Sequence, residues 1–279
     1  MRIAIVGLGL IGGSMALDLR RTGFAHSVIG VDADADHADQ ALKLKLVDKI
    51  LPLDEAVASS DFIILAVPVG QLVNMLPEVL DLITDQILID VGSTKSMLVD
   101  LAKAHPKGKH YVATHPMAGT EFSGPSAAIE GLFKDKVAII CDQDHSHPHF
   151  VAKVIEMYDH LDMGVVHMPA DEHDIHAAYV SHISHISSFA LALTVLEKEK
   201  KSQNILVMAS GGFDSTVRLA KSSHKMWTPV FQQNSTNVIN VLQTYIDELI
   251  KFKDAIERDD ATQLDDLILT ANQIKKILK

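Results

Sequence analysis

Residues 3–14 read IAIVGLGLIGGS, and the fold is decided there. An apolar run too short for a helix, 3–6, ends on Gly7, Gly9 and Gly12 in GxGxxG spacing, and a helix-periodic segment, 13–22, follows directly. Strand, glycine turn and helix in that order suit a dinucleotide pyrophosphate. Gly7 permits the tight turn, Gly9 lets a phosphate approach the backbone, Gly12 lets the helix pack close to the strand, and the free N–H groups of the first helical turn face the anion. Leu10 and Ile11 lie in this turn as candidate cofactor contacts, and Ser14 is a candidate hydroxyl donor. The next strand, 28–31, runs into Asp32, about twenty residues past Gly12, where a carboxylate can accept from the adenosine ribose hydroxyls. Asp34 and Asp36 follow where a 2′-phosphate would need an arginine, so the expected cofactor is NAD. Val67 and Pro68, at the end of FIILAVP, are expected beside the same nucleotide.

Outward from this turn, short apolar runs alternate with helical periodicity. Strands are expected at 3–6, 28–31, 62–67, 87–90, 111–114, 137–141 and 165–168, and helices at 13–22, 35–44, 70–82, 95–104 and 148–161. This is an α/β pattern, a Rossmann-type, mostly parallel sheet domain over 1–169. After Pro169, with Asp171 as a candidate cap, the β-branched runs stop. An all-helical C-terminal domain, 170–279, is expected, with helices at 171–200, 202–210, 226–258 and 260–278 and irregular chain over 211–225. Helices near thirty residues long predict packing across a subunit interface, hence a homodimer through the helical domain.

The composition narrows the partners. Hydrophobic residues at 47% and charged residues at 22% exclude a disordered chain, and a net charge of −11 argues against nucleic acid. The one dense basic patch, Lys198, Lys200 and Lys201, is interleaved with glutamates. A single cysteine, Cys141, in the strand-like VAIIC, excludes a disulfide framework and predicts a reducing, cytoplasmic setting. Arg2 and the apolar residues after it imitate a secretory leader, but the glycine spacing contradicts one. No later apolar run is expected to reach the roughly 18 residues that span a bilayer, and 62–69 contains Pro68, so no membrane partner is expected. A small-molecule substrate is.

Two further motifs, DVGSTK (90–95) and ATHPMAGTEFSGP (113–125), lie where parallel strands end, the edge on which open α/β sheets bind ligands. Ser93, Lys95, His115, Thr120, Glu121 and Ser123 are therefore expected toward the nicotinamide. His115, followed by Pro116 at a strand end above the nucleotide site, is read as functional rather than structural. The remaining histidines suggest no metal. His173, His176, His182 and His185 share a predicted helix and His145, His147 and His149 a polar loop, without cysteines or HExxH. Trp227 is expected in packing.

With GLGLIGGS, DVGSTK, HPMAGTEFSG, SHISH (181–185) and GGFDSTVRLAKSSHKMW (211–227) in this order, the chain resembles the prephenate and arogenate dehydrogenase family of tyrosine biosynthesis. The resemblance implies oxidative decarboxylation of prephenate to 4-hydroxyphenylpyruvate with NAD. It implies that His115 is the catalytic histidine and Ser93 its partner on the substrate hydroxyl, that Thr120, Glu121 and His185 line the substrate pocket, and that Arg218 grips a carboxylate. Asp214 and Ser215 stand where the family commonly has lysine and aspartate, and Ser184 where it has proline. Asp214 near the substrate would favour the ammonium of arogenate; paired with Arg218 four residues on, it would not, so arogenate stays open as the alternative substrate. A β-hydroxyacid dehydrogenase would need a helical lysine that 181–189 lacks, and a mere NAD sensor would not need Ser93, His115 and Arg218 together. No appended chorismate mutase or regulatory domain is expected.

Overall fold

A computed structural model describes residues 1–202 and 204–277, with the side chains of Lys201 and Ser202 excepted. The expected helix over 202–210 therefore begins partly outside the described residues, as do the last residues of the one over 260–278 and the side chain of Lys201 in the basic patch.

Eight strands form one sheet in the order β3-β2-β1-β4-β5-β6-β7-β8. They are β1 Arg2–Val6, β2 Ser27–Val31, β3 Lys49–Ile50, β4 Phe62–Leu65, β5 Ile87–Asp90, β6 Tyr111–Pro116, β7 Val137–Cys141 and β8 Gly164–Met168. All neighbours pair in parallel except β6 and β7, where Ala113 faces Cys141 and Pro116 faces Ala138. The chain steps outward from β1 to β3 and then returns to β4 on the other side of β1. That reversal leaves a crevice at the carboxyl ends of β1 and β4, where dinucleotides bind in doubly wound sheets.

The connections are α1 Leu10–Arg21, α2 Ala35–Lys43, α3 Leu53–Ala58, α4 Val69–Leu82, α5 Ser96–Ala104 and α6 Pro148–His160. Residues alternate across the sheet as the strand period of two requires. Ile3, Ile5, Phe62 and Ile64 pack with Met15 and Leu19 of α1 and Val154 and Met157 of α6 on one face. Ala4, Val6, Ile63 and Leu65 pack with Leu72, Leu76 and Val79 of α4 and Leu98 of α5 on the other. Each buried Val, Leu, Ile, Phe or Met side chain among these contributes about 1.5–3 kcal/mol, so register and face are tightly specified.

After β8 the chain is helical. It forms α7 Ala170–Ala177, a π-helical turn over Ala178–His182, α8 Ile183–Ser202, α9 Gly211–Val217, α10 His224–Gln233, α11 Ser235–Glu257 and α12 Ala261–Ala271. Two compact units result, Met1–Asn234 and a second from Ser235 onward. Helical chain up to Asn234 thus belongs with the sheet, although the secondary structure changes at Pro169 as expected. In the second unit, α11 and α12 are joined through Asp259, in left-handed conformation, and Asp260, whose carboxylate caps α12 by accepting from Gln263 N–H.

Several expectations need correction. β3 and α3 were missed because two- and six-residue elements carry almost no periodicity. β4 stops at Leu65, short of Val67. Pro169 occupies the cap position of α7, which puts Asp171 in the first turn. The expected helix over 202–210 shrinks to a single 3₁₀ turn at Leu206–Met208, because Asn204 turns left-handed and the Glu199 carboxylate accepts from the backbone N–H groups of Asn204, Ile205 and Leu206. The expected helix over 226–258 is broken at Asn234, whose side-chain amide donates to the Asp174 carbonyl. The region 211–225, expected to be irregular, contains α9 and a 3₁₀ turn at Arg218–Lys221. Finally, Ala170–Lys200 is a 31-residue helix long and apolar enough, by length and composition, to cross a membrane, contrary to the expectation from continuous apolar runs.

Candidate active site

The glycine turn shows three separate constraints. Gly7 has φ +95°, and a Cβ there would meet the Ala66 carbonyl oxygen at 2.5 Å and Val67 Cγ1 at 3.0 Å. A Cβ on Gly12 would collide with the Gly7 carbonyl, so that glycine sets how closely α1 approaches the strand. A Cβ on Gly9 would meet no atom within 4 Å. Gly9 is the N-cap residue of α1, so open space adjoins the first turn of a helix, whose leading N–H groups have no partner within the helix and favour an anion. Asp32 lies at the end of β2 with Oδ2 accepting from Leu8 N–H at 2.8 Å and Oδ1 from Asp34 N–H at 2.9 Å. Each oxygen keeps a lone pair for a ribose hydroxyl. Val67 is half-buried against Gly7, and Pro68 is the exposed cap of α4. Ser14 does not join them: it is fully buried, and its Oγ accepts from Ile129 N–H at 2.9 Å. Asp18, one turn later, accepts from Gly131 N–H, so this side of α1 fastens the chain that follows HPMAGTEFSG.

The DVGSTK loop is held by a buried ion pair. Lys95, with no exposed surface, donates to Asp90 Oδ2 and to the Thr114 carbonyl at 2.8 Å. Tyr111 Oη donates to Asp90 Oδ1 at 2.6 Å, and Gly92 N–H to Asp90 Oδ2 at 2.8 Å. Burial, with the Asp90 charge beside it, holds the Tyr111 hydroxyl well above the ordinary phenol range. Removing one partner of a pair like Asp90 and Lys95 strands a charge, so the loop carrying Ser93 is stiff at both ends. Ser93 itself is half-buried. Lys95, expected toward the nicotinamide, is instead a structural cation whose ammonium is fully buried on Asp90 and Thr114.

His115 stands half-buried at the end of β6, with Nδ1 2.8 Å from His173 Nε2. Burial is the main reason its basicity lies well below the usual histidine range; His173, Lys95 and His182 add to the lowering, and the Asp174 carboxylate opposes it. The imidazole is neutral at physiological pH. His185, also lowered mainly by burial, donates from Nδ1 to the Ser181 carbonyl at 3.0 Å and stacks on Trp227 with ring centroids 3.4 Å apart. Arg218 lies close enough to lower His185 further. The guanidinium pairs with Glu121 Oε2 at 3.2 Å, which brings the HPMAGTEFSG loop to the turn after α9. Thr120 Oγ1 accepts from Phe122 N–H within that loop.

Asp214 is placed otherwise than either expectation. Its carboxylate pairs with Lys221 Nζ at 2.9 Å, not with Arg218, and its side chain is 70% exposed. Ser123 is exposed, without a contact that assigns it a role. His173 and Asp174 were missed as site residues: they lie next to each other near the start of α7, and nothing local in the sequence directs them to a histidine 58 residues earlier. Among the described residues no group of histidine, cysteine and carboxylate side chains could hold a metal ion.

Known proteins agree with this geometry. The sequence model described as "Prephenate dehydrogenase, nucleotide-binding domain" matches residues 15–167, and that described as "Prephenate dehydrogenase, dimerization domain" matches 169–270. Prephenate dehydrogenase of Bacillus subtilis (strain 168) is 32% identical over 266 residues, 94% of this chain and 72% of that protein. The crystal structure of A. aeolicus prephenate dehydrogenase in complex with hydroxyphenyl propionate and NAD+ superposes with a TM-score of 0.89 at 29% identity, covering 99% of this chain and 97% of that one. Synechocystis arogenate dehydrogenase gives a TM-score of 0.77 at 26% identity, with both chains fully covered. The chain belongs to the prephenate dehydrogenase family of NAD-dependent dehydrogenases.

Proposed function

We propose that the chain oxidises and decarboxylates prephenate to 4-hydroxyphenylpyruvate, with binding of the nucleotide in 1–169 and of substrate, together with dimerisation, in 170–279. The observation that carries this reading is the neutral, burial-depressed His115 at the carboxyl edge of the sheet whose glycine turn binds the nucleotide. NAD, held by the turn of Gly7, Gly9, Leu10, Ile11 and Gly12, by Asp32 and beside Val67 and Pro68, supplies the hydride acceptor. His115 accepts the proton of the ring hydroxyl as hydride leaves the carbinol carbon. The electron pair of the carbon–carboxylate bond then enters the ring as carbon dioxide departs, and His115 returns the proton to the oxygen, now phenolic. Ser93 orients the hydroxyl, His185, Thr120 and Glu121 shape the pocket, and Arg218 forks onto a substrate carboxylate. His115→Asn should lower NADH formation from prephenate by about two orders of magnitude or more while NAD affinity holds, since general-base help is typically worth about 10²–10⁴. Near wild-type turnover in that variant would sink the mechanism.

Prephenate is preferred to arogenate because Asp214, the feature that favoured an ammonium, is exposed and bound to Lys221. The exposed apolar side chains Val180, Leu193 and Leu196 on the long helix, and Ile239, Ile246 and Ile250 on α11, support a homodimer. A second copy covers them better than lipid does, because the same long helix carries His173, Asp174 and His182 as buried, hydrogen-bonded polar groups. Buried, unpaired Cys141 supports a reducing, cytoplasmic location.

A further inference from the structure

His115 does not stand alone. Beyond its 2.8 Å contact with His173 Nε2, His173 Nδ1 lies 2.8 Å from Asp174 Oδ1. The two rings meet edge-on, at 71° with centroids 5.1 Å apart, so one N–H points at the other's lone pair. His173 and Asp174 are 3% and 5% exposed. Asp174 accepts in addition from Lys95 N–H at 2.8 Å and Ser96 N–H at 2.9 Å. An ionised carboxylate only accepts, so His173 carries its hydrogen on Nδ1 and offers Nε2 as an acceptor. That in turn requires hydrogen on Nδ1 of His115 and leaves the His115 lone pair on Nε2.

We infer that His173 and Asp174 are positioning residues for His115: His173 fixes its Nδ1–H tautomer with a basic Nε2, and the Asp174 charge behind it favours the imidazolium that forms when Nε2 takes the substrate's hydroxyl proton. The inference rests on the reading of His115 as the base. One proton moves, from the substrate oxygen to Nε2 and later back. The hydrogen on Nδ1 stays in its bond to His173, so no further acceptor is needed.

The charges around His115 make such support necessary. Lys95 from the start of α5, His182 from the π-helical turn and His173 from α7 all disfavour a cation there; Asp174 favours one. Burial works to raise the Asp174 carboxyl, but the hydrogen bonds from His173, Ser96 and Lys95 together hold it below the usual carboxylate range, so its charge persists. A purely structural cap of α5 would account for the two backbone N–H groups. It leaves the His173 bond, and the alignment of His173 on His115, without a reason.

The test compares His173→Leu and Asp174→Asn with wild type in kcat, KM and the pH profile of kcat. Both variants should lose at least about tenfold in kcat with KM for prephenate and NAD nearly unchanged, as when a base is left in the wrong tautomer. In Asp174→Asn the acid limb of kcat should also move to lower pH, because the group that favours the imidazolium is gone. Imidazole ¹⁵N spectra of the intact wild-type protein, with the His115 signals assigned by their loss in His115→Asn, should show hydrogen on Nδ1. That reading does not depend on either relay variant folding. Hydrogen on Nε2 would overturn the relay, as would kcat within twofold of wild type with an unmoved acid limb. If His115→Asn itself kept its turnover, the base assignment would fail; if it lost turnover while His173→Leu did not, only the relay would fail.

Discussion

The nucleotide turn and the His115 cluster occupy carboxyl ends of the same sheet, one made of backbone from six consecutive positions, the other of side chains from β6 and α7 held by backbone N–H groups of Lys95 and Ser96. The turn is defined by absent atoms: Gly7 and Gly12 leave no room for a Cβ, and Gly9 leaves open space beside the first turn of α1. The cluster is defined by atoms present and paired, with Asp174 touching His173, Lys95 and Ser96 at once. A site built from local backbone is specified by spacing. One built from distant side chains is specified by topology.

Gly12→Val should give the largest effect, because the new side chain collides with the Gly7 carbonyl, backbone that cannot step aside. NAD affinity should fall at least about a hundredfold and the melting temperature should drop, since the turn and its packing are one feature. Calorimetric titration with NAD beside a thermal melt would check this; wild-type affinity in Gly12→Val would break the backbone half of the comparison.

The cluster should be the half that responds to pH. His182 is lowered to about 4, mainly by burial; its Nδ1 faces Asn234 and its Nε2 has no hydrogen-bond partner among the described residues. Unfolding restores an ordinary value near 6.5, so between pH 6.5 and about 4 the unfolded chain binds more protons. Stability then falls as pH is lowered through that window, by on the order of 3 kcal/mol in all, and His115 acts in the same direction. Urea unfolding at pH 7 and pH 5 should show the loss, and His182→Gln should flatten it. An equal slope in the variant would mean that other groups carry the acid sensitivity.

Gly9→Ala sharpens the contrast inside the turn. Its Cβ would meet nothing within 4 Å, so the melting temperature should stay at the wild-type value. The dissociation constant for NAD should rise about tenfold, roughly 1.4 kcal/mol, because the methyl takes space a pyrophosphate needs. Unchanged affinity would show that the nucleotide lies elsewhere.

What could be foreseen from sequence follows the same division. The strand, glycines, helix and Asp32 lie within thirty residues, and local periodicity resolved them. His115 was legible because a motif surrounds it; His173 was visible only as one of many helical histidines, since its partner is set by how α7 crosses the sheet edge. Ser14 failed as a phosphate donor because its side chain points to Ile129, 115 residues away, and no pattern in the turn encodes that contact. The break at Asn234 has the same origin. The surrounding run is helix-periodic, and what stops it is a side-chain bond to the Asp174 carbonyl, 60 residues back.

Asp214 gives the smallest expected effect and the most direct check on substrate choice. As a charge facing the substrate it would attract arogenate's ammonium and repel the side-chain carboxylate of prephenate; as a partner of Arg218 it would orient the guanidinium. The structure gives it neither task, since it pairs with Lys221 and Glu121 pairs with Arg218. An exposed ion pair of this kind contributes at most about 1 kcal/mol and is screened by salt. The ratio of kcat/KM for prephenate to that for arogenate should therefore change by less than about twofold in Asp214→Asn, within what an exposed pair can contribute. Glu121→Gln should change KM for either substrate more than Asp214→Asn does, because it frees the Arg218 guanidinium proposed to grip the carboxylate. A ratio that shifted strongly toward prephenate in Asp214→Asn would place Asp214 at the substrate after all and would reopen arogenate as the physiological substrate.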